Sequence, residues 1–337
     1  MDDSRADVPA APPDKPVALG STGLTVSRIG LGLAALGRPA YINLGRDQDY
    51  GQDRTTAVME RRCHQMLDAA FTAGVRYVDA ARSYGLAETF LGTWLTARQP
   101  SRDALTVGSK WGYSYVGAWQ LDAPVHEVKD LSVETLRRQI TESRTLLGQR
   151  LNLYQIHSAT LDSGVLDDAK VLDELERLRS EGLAIGLSVT GPGQADVIQR
   201  ALEVNASRGN LFHVVQATWN LLEPSAGPAL AEARAEGLGV IIKEAVANGR
   251  LTDRNGSEAI SPLKHFADAH AISSDAVAIA AALSNPWADV VLSGAVTVGQ
   301  LTSNLRAVDL VETAGDWPSI AEPPHEYWDR RRNLAWQ

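Results

Sequence analysis

The chain has 337 residues, 44% of them hydrophobic and 22% charged, a globular mix that excludes disorder, collagen and low-complexity fibre. Its 32 basic and 41 acidic side chains leave a net charge of −9, which argues against a surface made for nucleic acid or an anionic membrane. One cysteine, Cys63, excludes an internal disulfide and a cysteine-cluster metal site; with no secretory signal and no run of about 18 apolar residues, a soluble cytoplasmic protein is expected.

Residues 1–14, rich in Pro, Ala and Asp without periodicity, read as a mobile leader, and 15–337 reads as one domain. Two short apolar pieces around Gly20-Ser21-Thr22-Gly23 have the pattern of a small hairpin. Eight short apolar runs follow, at 28–31, 76–79, 105–109, 151–157, 183–188, 213–217, 238–242 and 290–292. Several are rich in Val and Ile, as buried parallel strands are. Between them the spacing turns helical. Ser132 is a candidate N-cap, Val133, Leu136, Ile140 and Leu147 keep one face apolar, and Gly148 suits a left-handed stop. Ala169, Leu172, Leu175 and Leu178 repeat the pattern before Gly182. This alternation predicts an α/β fold, a closed (β/α)8 TIM barrel with an N-terminal hairpin and extended βα loops. The longest excursions are 38–53, full of Gly and Asp, and 248–288, predicted to hold an extra helix or lid.

In such a barrel, reactive side chains belong where strands end and βα loops begin. Asp79 closes the second run, Lys110 follows the third, His157 closes the fourth, and Tyr84 lies in the loop after Asp79. Singly, each has an ordinary explanation: a packing tyrosine, a turn aspartate, a solvated lysine, a rim histidine. At the ends of three neighbouring strands they converge. A phenol, with a pKa near 10, donates poorly near neutrality unless it is tuned. A neighbouring ammonium favours the phenolate, and a carboxylate keeps that ammonium charged. Imidazole adds a hydrogen bond to a substrate oxygen. Such a site protonates a carbonyl oxygen while a hydride reaches its carbon, and the hydride needs a cofactor because no side chain supplies one.

The runs Gly74-Val75-Arg76-Tyr77-Val78-Asp79-Ala80-Ala81-Arg82-Ser83-Tyr84-Gly85, Glu88-Thr89-Phe90-Leu91-Gly92 and Leu151-Asn152-Leu153-Tyr154-Gln155-Ile156-His157 resemble, in order, motifs of the aldo-keto reductase family. The resemblance extends from Lys15 to about Val311. It implies Tyr84 as general acid/base, Lys110 and Asp79 as its tuning pair, and His157 as a substrate-orienting residue. It also implies a nicotinamide cofactor across the barrel mouth, with the carboxamide on Ser188 and Gln216. Gly32, Gly249 and Gly294 join the cofactor set, and Thr297, Gln300 and Asn304 the adenine and ribose-phosphate end. Lys243 stands where the family often offers a tyrosine to the nicotinamide ring; it is assigned to phosphate or substrate, with Glu244 as its partner. NADPH is expected over NADH because the family favours it, although 295–297 supplies no Lys or Arg for a 2′-phosphate.

The string Gly30-Leu31-Gly32-Leu33-Ala34-Ala35 satisfies a dinucleotide fingerprint on paper, but helical spacing begins only near Ala57, so a Rossmann reading is rejected. Trp111, with Tyr113, Tyr115 and Trp119 behind it, is a candidate substrate wall, and Arg82 a candidate contact for an anionic or polyhydroxylated substrate. The aromatic, basic tail 326–337 is a candidate lid, with Trp336 facing substrate. The expected reaction is hydride transfer between nicotinamide and an aldehyde, ketone or sugar, with no metal. The alternative is a cofactor-binding regulatory subunit like the potassium-channel β-subunits of the same superfamily. A metal-dependent isomerase or aldolase ranks last, since strand ends supply no metal ligands beyond Asp79 and His157.

Overall fold

The structure, a computed structural model, describes residues 16–311 and 316–336; the leader read at 1–14 lies outside the described residues. Eight parallel strands form a closed barrel. They are β1 (Ile29–Gly32), β2 (Tyr77–Asp79), β3 (Thr106–Trp111), β4 (Leu151–Ala159), β5 (Ala184–Val189), β6 (Val214–Thr218), β7 (Gly239–Lys243) and β8 (Val290–Ser293). Each falls on one of the expected runs. Closure comes from β8 pairing with β1, Val291 opposite Ile29, and the register runs on through Leu31–Val78 and Val78–Val107.

Side chains alternate across each strand, so residues two apart share a face. In β3 this sends Lys110 to the barrel axis and Ser109 and Trp111 toward the helices. The outer layer is α1 (Thr56–Thr72), α2 (Ala87–Arg98), α3 (Val133–Leu147), α4 (Ala169–Ser180), α5 (Gln194–Arg208), α6 (Gly227–Ala235), α7 (Ser261–Ala269), α8 (Ser274–Leu283) and α9 (Val298–Leu305). The expected caps form: Ser132 Oγ accepts from Thr135 N at 3.2 Å, and Gly148 takes φ +55°. Alanine-rich α8 is buried at every position but Asp275, which explains why its sequence from Ala276 on is apolar all round. Among the described residues no single helix is long and apolar enough to cross a membrane.

A hairpin, Val17–Ala18 against Thr25–Val26, seals the N-terminal end of the barrel. Its Leu19 and Val26 pack on Tyr77, Leu153, Val214, Ile241 and Val290. The turn comes so close that a Cβ on Gly20, whose φ is +50°, would overlap the backbone of Gly239. Only glycine fits there.

The opposite end carries the long connections. The first loop holds a short helix, Arg46–Tyr50, and reaches α1 only at Thr56, so no helix starts directly after the β1 glycines. The seventh connection contains α7 and α8, the predicted extra helix among them. An antiparallel ribbon, Tyr113–Tyr115 with Glu127–Lys129, rises from the third loop; its three-residue strands are too short to leave a readable alternation. Helix α10 (Pro324–Arg332) then brings the chain back over the mouth.

Candidate active site

Asp79 anchors the site. Its carboxylate, 2% exposed, pairs with the fully buried Lys110 ammonium and accepts from Tyr77 OH at 3.1 Å and Gln216 Nε2 at 3.0 Å. A buried ion pair is tolerated when its remaining lone pairs are satisfied, as here. Lys110 Nζ also donates to the Ala80 carbonyl at 3.1 Å and reaches Tyr84 OH at 3.4 Å. A turn closed by Tyr84 N donating to Ala81 O folds the tyrosine back over this pair. Its ring meets His157 edge-on at 5.4 Å, and Tyr113 packs on the same imidazole at 5.0 Å. His157 Nδ1 faces Ser83 Oγ at 3.4 Å. The four residues expected from strand ends are thus gathered in one place.

The electrostatics differ from the expected tuning. Burial, with the Asp79 charge behind it, pushes the Tyr84 phenol well above its ordinary value and outweighs Arg38. Lys110 is paired with Asp79, and the buried phenol keeps its proton. Burial, then the charges of Lys110, Lys243, Arg38 and Lys129, holds His157 well below its ordinary value and therefore neutral. The site has two neutral hydrogen-bonding groups beside a locked ion pair.

Around them lies a cavity of about 350 Å³, lined among others by Gly32, Arg38, Tyr113, Glu127, Ser158, Gln216, Lys243, Asn248, Gly294 and Trp336. Sequence reasoning missed Arg38. Its guanidinium pairs with Glu127 at 2.7 Å and lies over the rings of Tyr41, Tyr84 and Trp336 at 4.8, 5.2 and 4.9 Å. Nothing in a Gly- and Pro-rich loop marks one arginine for this place. Trp336 does reach the mouth, as the lid reading expected, and stacks on His126 at 4.1 Å.

Glu244 does not pair with Lys243 as anticipated. Arg331 of α10 takes it with two contacts of 2.9 Å, and Thr218 Oγ1 adds a donation at 3.2 Å. Despite burial, Arg331 and Lys243 hold the Glu244 carboxyl down to about 2. Lys243 keeps one hydrogen bond, to Thr218 Oγ1 at 2.9 Å.

Two expected substrate residues stand behind the wall. Trp111 is fully buried on the helix side of β3, because strand alternation turns it away from Lys110. Arg82 is held by Glu88 at 2.5 Å and Glu142 at 2.9 Å, in a network that also ties Ser109 and Ser143 to Glu88. Neither lines the cavity.

The chain fits the reacting end of a nicotinamide. A side chain on Gly294 would meet nothing within 4 Å, and Gly32 stands clear of all but Ser293 O at 3.5 Å, so both open onto the space. Asn248 Oδ1 is buried without a protein partner, an acceptor left for a ligand donor. Ser188 lies fully buried behind this wall, accepting from Ser158 N at 2.8 Å. Gly249, at φ +87°, packs against Leu44 in the first loop and does not line the cavity. Farther along, Thr297 caps α9 by accepting from Gln300 N at 3.2 Å. Gln300 donates to Asp49 at 2.9 Å, and Asn304 is tied to Ser293 and Asp275. These three brace the segment outside the cavity. Asp49 also holds Arg254 at 2.5 Å, bringing a guanidinium to the end where 295–297 supplies none.

Comparison with known proteins agrees with this architecture. Residues 28–322 match the model of the aldo/keto reductase family. The chain is 26% identical to the L-galactose dehydrogenase of Arabidopsis thaliana, over 95% of this chain and 96% of that one. It is 27% identical to a D-threo-aldose 1-dehydrogenase of a Pseudomonas species, over 90% and 96%. The holo form of an aldo-keto reductase of Bacillus halodurans superposes with a TM-score of 0.67 at 20% identity, covering 94% of this chain and 96% of that structure, a likeness of fold. With a family match over most of its length and the eight-stranded barrel that family builds, the chain belongs to the aldo/keto reductases.

Proposed function

We propose that this protein is a nicotinamide-dependent oxidoreductase interconverting a carbonyl compound and its alcohol, with Tyr84 as the general acid and base. The observation that carries the reading is the convergence of Tyr84 and neutral His157 on one 350 Å³ cavity at the barrel mouth, with Lys110 buried behind the phenol. The bound cofactor supplies or accepts the hydride. Tyr84, protonated in this environment, gives its phenolic hydrogen to the carbonyl oxygen, and His157 hydrogen-bonds the same oxygen and fixes its approach. Lys110, neutralised by Asp79, steadies the phenol from behind. In the reverse direction Tyr84 must take a proton, so its raised pKa favours carbonyl reduction near neutrality and alcohol oxidation under alkaline conditions.

A hydroxyl-rich substrate is supported by the polar lining, with Glu127, Ser158 and Asn248 beside the aromatic Tyr113 and Trp336, and by relatives named as sugar dehydrogenases. Those names also support turnover over a channel-subunit role. NADPH remains the favoured cofactor, and Arg254 is the cation we assign to its 2′-phosphate. The test follows nicotinamide absorbance with NADPH and with NADH against aldehydes, ketones and aldoses, and in the oxidative direction with NADP+ and NAD+. Turnover of an aldose or keto-sugar supports the reading. Inactivity across both cofactors and the whole panel overturns it.

A further inference from the structure

Around the barrel the strands run β6-β7-β8-β1-β2-β3-β4-β5 and close on themselves. The strands β2, β3 and β4 carry Asp79, Lys110 and His157, with Tyr84 on the loop after β2. Four places around the ring from β3 is β7, and Lys243 closes β7. The mouth therefore has two walls. On one, the phenol and imidazole await a carbonyl oxygen. On the other stands an ammonium, with Gln216 and Gly294 beside it on β6 and after β8. A hydride donor must lie against the carbonyl carbon, so its ring occupies the space between the carbonyl and the second wall. The Lys243 ammonium borders that space, and its charge is felt by His157 across it.

No carboxylate is directly hydrogen-bonded to Lys243, although the Glu244 charge is felt nearby. Glu244, next in the chain, is hydrogen-bonded by Arg331 of α10 and meets Lys243 only through the Thr218 hydroxyl they share. Asp79 on β2 is closed by Lys110 of β3. His157 on β4 is neutral. What remains is the hydroxyl of Thr218 at 2.9 Å and the Trp328 ring at 5.9 Å.

We infer that Lys243 makes the site discriminate by cofactor charge, taking up the reduced, uncharged dihydronicotinamide and disfavouring the oxidised, cationic ring. This rests on the nicotinamide reading above and adds to it a selection of redox form. Two like charges about 5 Å apart, in surroundings of effective dielectric constant about 20, repel strongly enough to shift a binding ratio by tenfold or more. The same charge opposes positive charge building on the ring during hydride transfer. Its benefit therefore falls on binding the reduced form and releasing the oxidised one, which suits a reductase. Burial, opposed by Glu244 and reinforced by Arg331 and Lys110, brings the Lys243 ammonium down to about 8. The selection is present below that pH and fades above it.

The test measures dissociation constants for NADPH and NADP+, and for NADH and NAD+, by fluorescence titration at pH 6.5 and 9.5. The proteins are the wild type, Lys243→Met and Lys243→Arg, each checked for its melting temperature. At pH 6.5 the oxidised-to-reduced ratio of dissociation constants is expected to fall about tenfold or more in Lys243→Met and to hold in Lys243→Arg. In the wild type the ratio falls toward the Met value at pH 9.5, a readout that needs no variant. An unchanged ratio in both comparisons overturns the inference. So does equal weakening of both forms in Lys243→Met, which would place the ammonium on the cofactor's phosphates. If the wild type binds none of the four nucleotides, the nicotinamide reading itself fails and this inference with it.

Discussion

The two ends of the barrel are built on opposite rules. At the base, hairpin and strands meet backbone to backbone around Gly20 and Gly239, and Leu19, Val26, Tyr77 and Ile241 fill the space with apolar volume. At the mouth, the space is left open and ringed by ion pairs that are buried or half-buried: Asp79 with Lys110, Glu244 with Arg331, Arg38 with Glu127. Close packing is worth stability and nothing chemical; buried polar groups cost desolvation and give chemistry. Damage at the base should appear in unfolding and spare catalysis, while damage at the mouth does the reverse, except where an ion pair serves both.

The largest expected effect is at the mouth. Tyr84→Phe should lower turnover by about 10² to 10⁴, the usual worth of a positioned acid, with the melting temperature and cofactor affinity near wild type. Steady-state kinetics beside calorimetry checks this, and wild-type turnover in the variant would break the contrast. At the base, Gly20→Ala should cost about 2–3 kcal/mol in urea unfolding, because the new Cβ meets the backbone of Gly239 at a positive φ; kcat of the surviving folded fraction should not move.

Arg331→Met sharpens the exception. Removing one partner of a buried pair costs about 3–5 kcal/mol, and because Arg331 is partly exposed about 2 kcal/mol is expected here. The Glu244 carboxyl, held at about 2 in the folded chain, lies below its unfolded value near 4.3. Its contribution is complete above that unfolded value and is lost as pH falls toward 2. Denaturant midpoints measured from pH 6 to 2 should fall steeply in the wild type and less so in the variant. The smallest effect is assigned to Arg254→Ala, which should reduce the preference for NADPH over NADH several-fold and leave kcat with NADH unchanged, read from kcat/KM with each cofactor.

The same division governs how much was legible. Strands and their helices are local patterns, so eight short apolar runs, several rich in Val and Ile, and the cap at Ser132 mark the scaffold directly. The three residues near strand ends, and Tyr84 in the loop after one of them, follow from the scaffold, because a barrel strand's end is already a place. Alternation within β3 also carried a signal against Trp111, two residues on from outward Ser109, and it went unused. Contacts between loops left no such trace. The pair of Arg331 with Glu244 joins residues 87 apart, and Arg38 meets Glu127 across 89. No periodicity connects them. The phenol's direction of shift was equally hidden, since it depends first on how deeply folding buries Tyr84 and then on the Asp79 charge beside it.

Trp336 sits at the rim, stacked on His126, while residue 17 begins the hairpin at the far end of the barrel. Trp336 also lines the cavity, so an occupant would lie against that indole, and a change in tryptophan fluorescence would report its arrival.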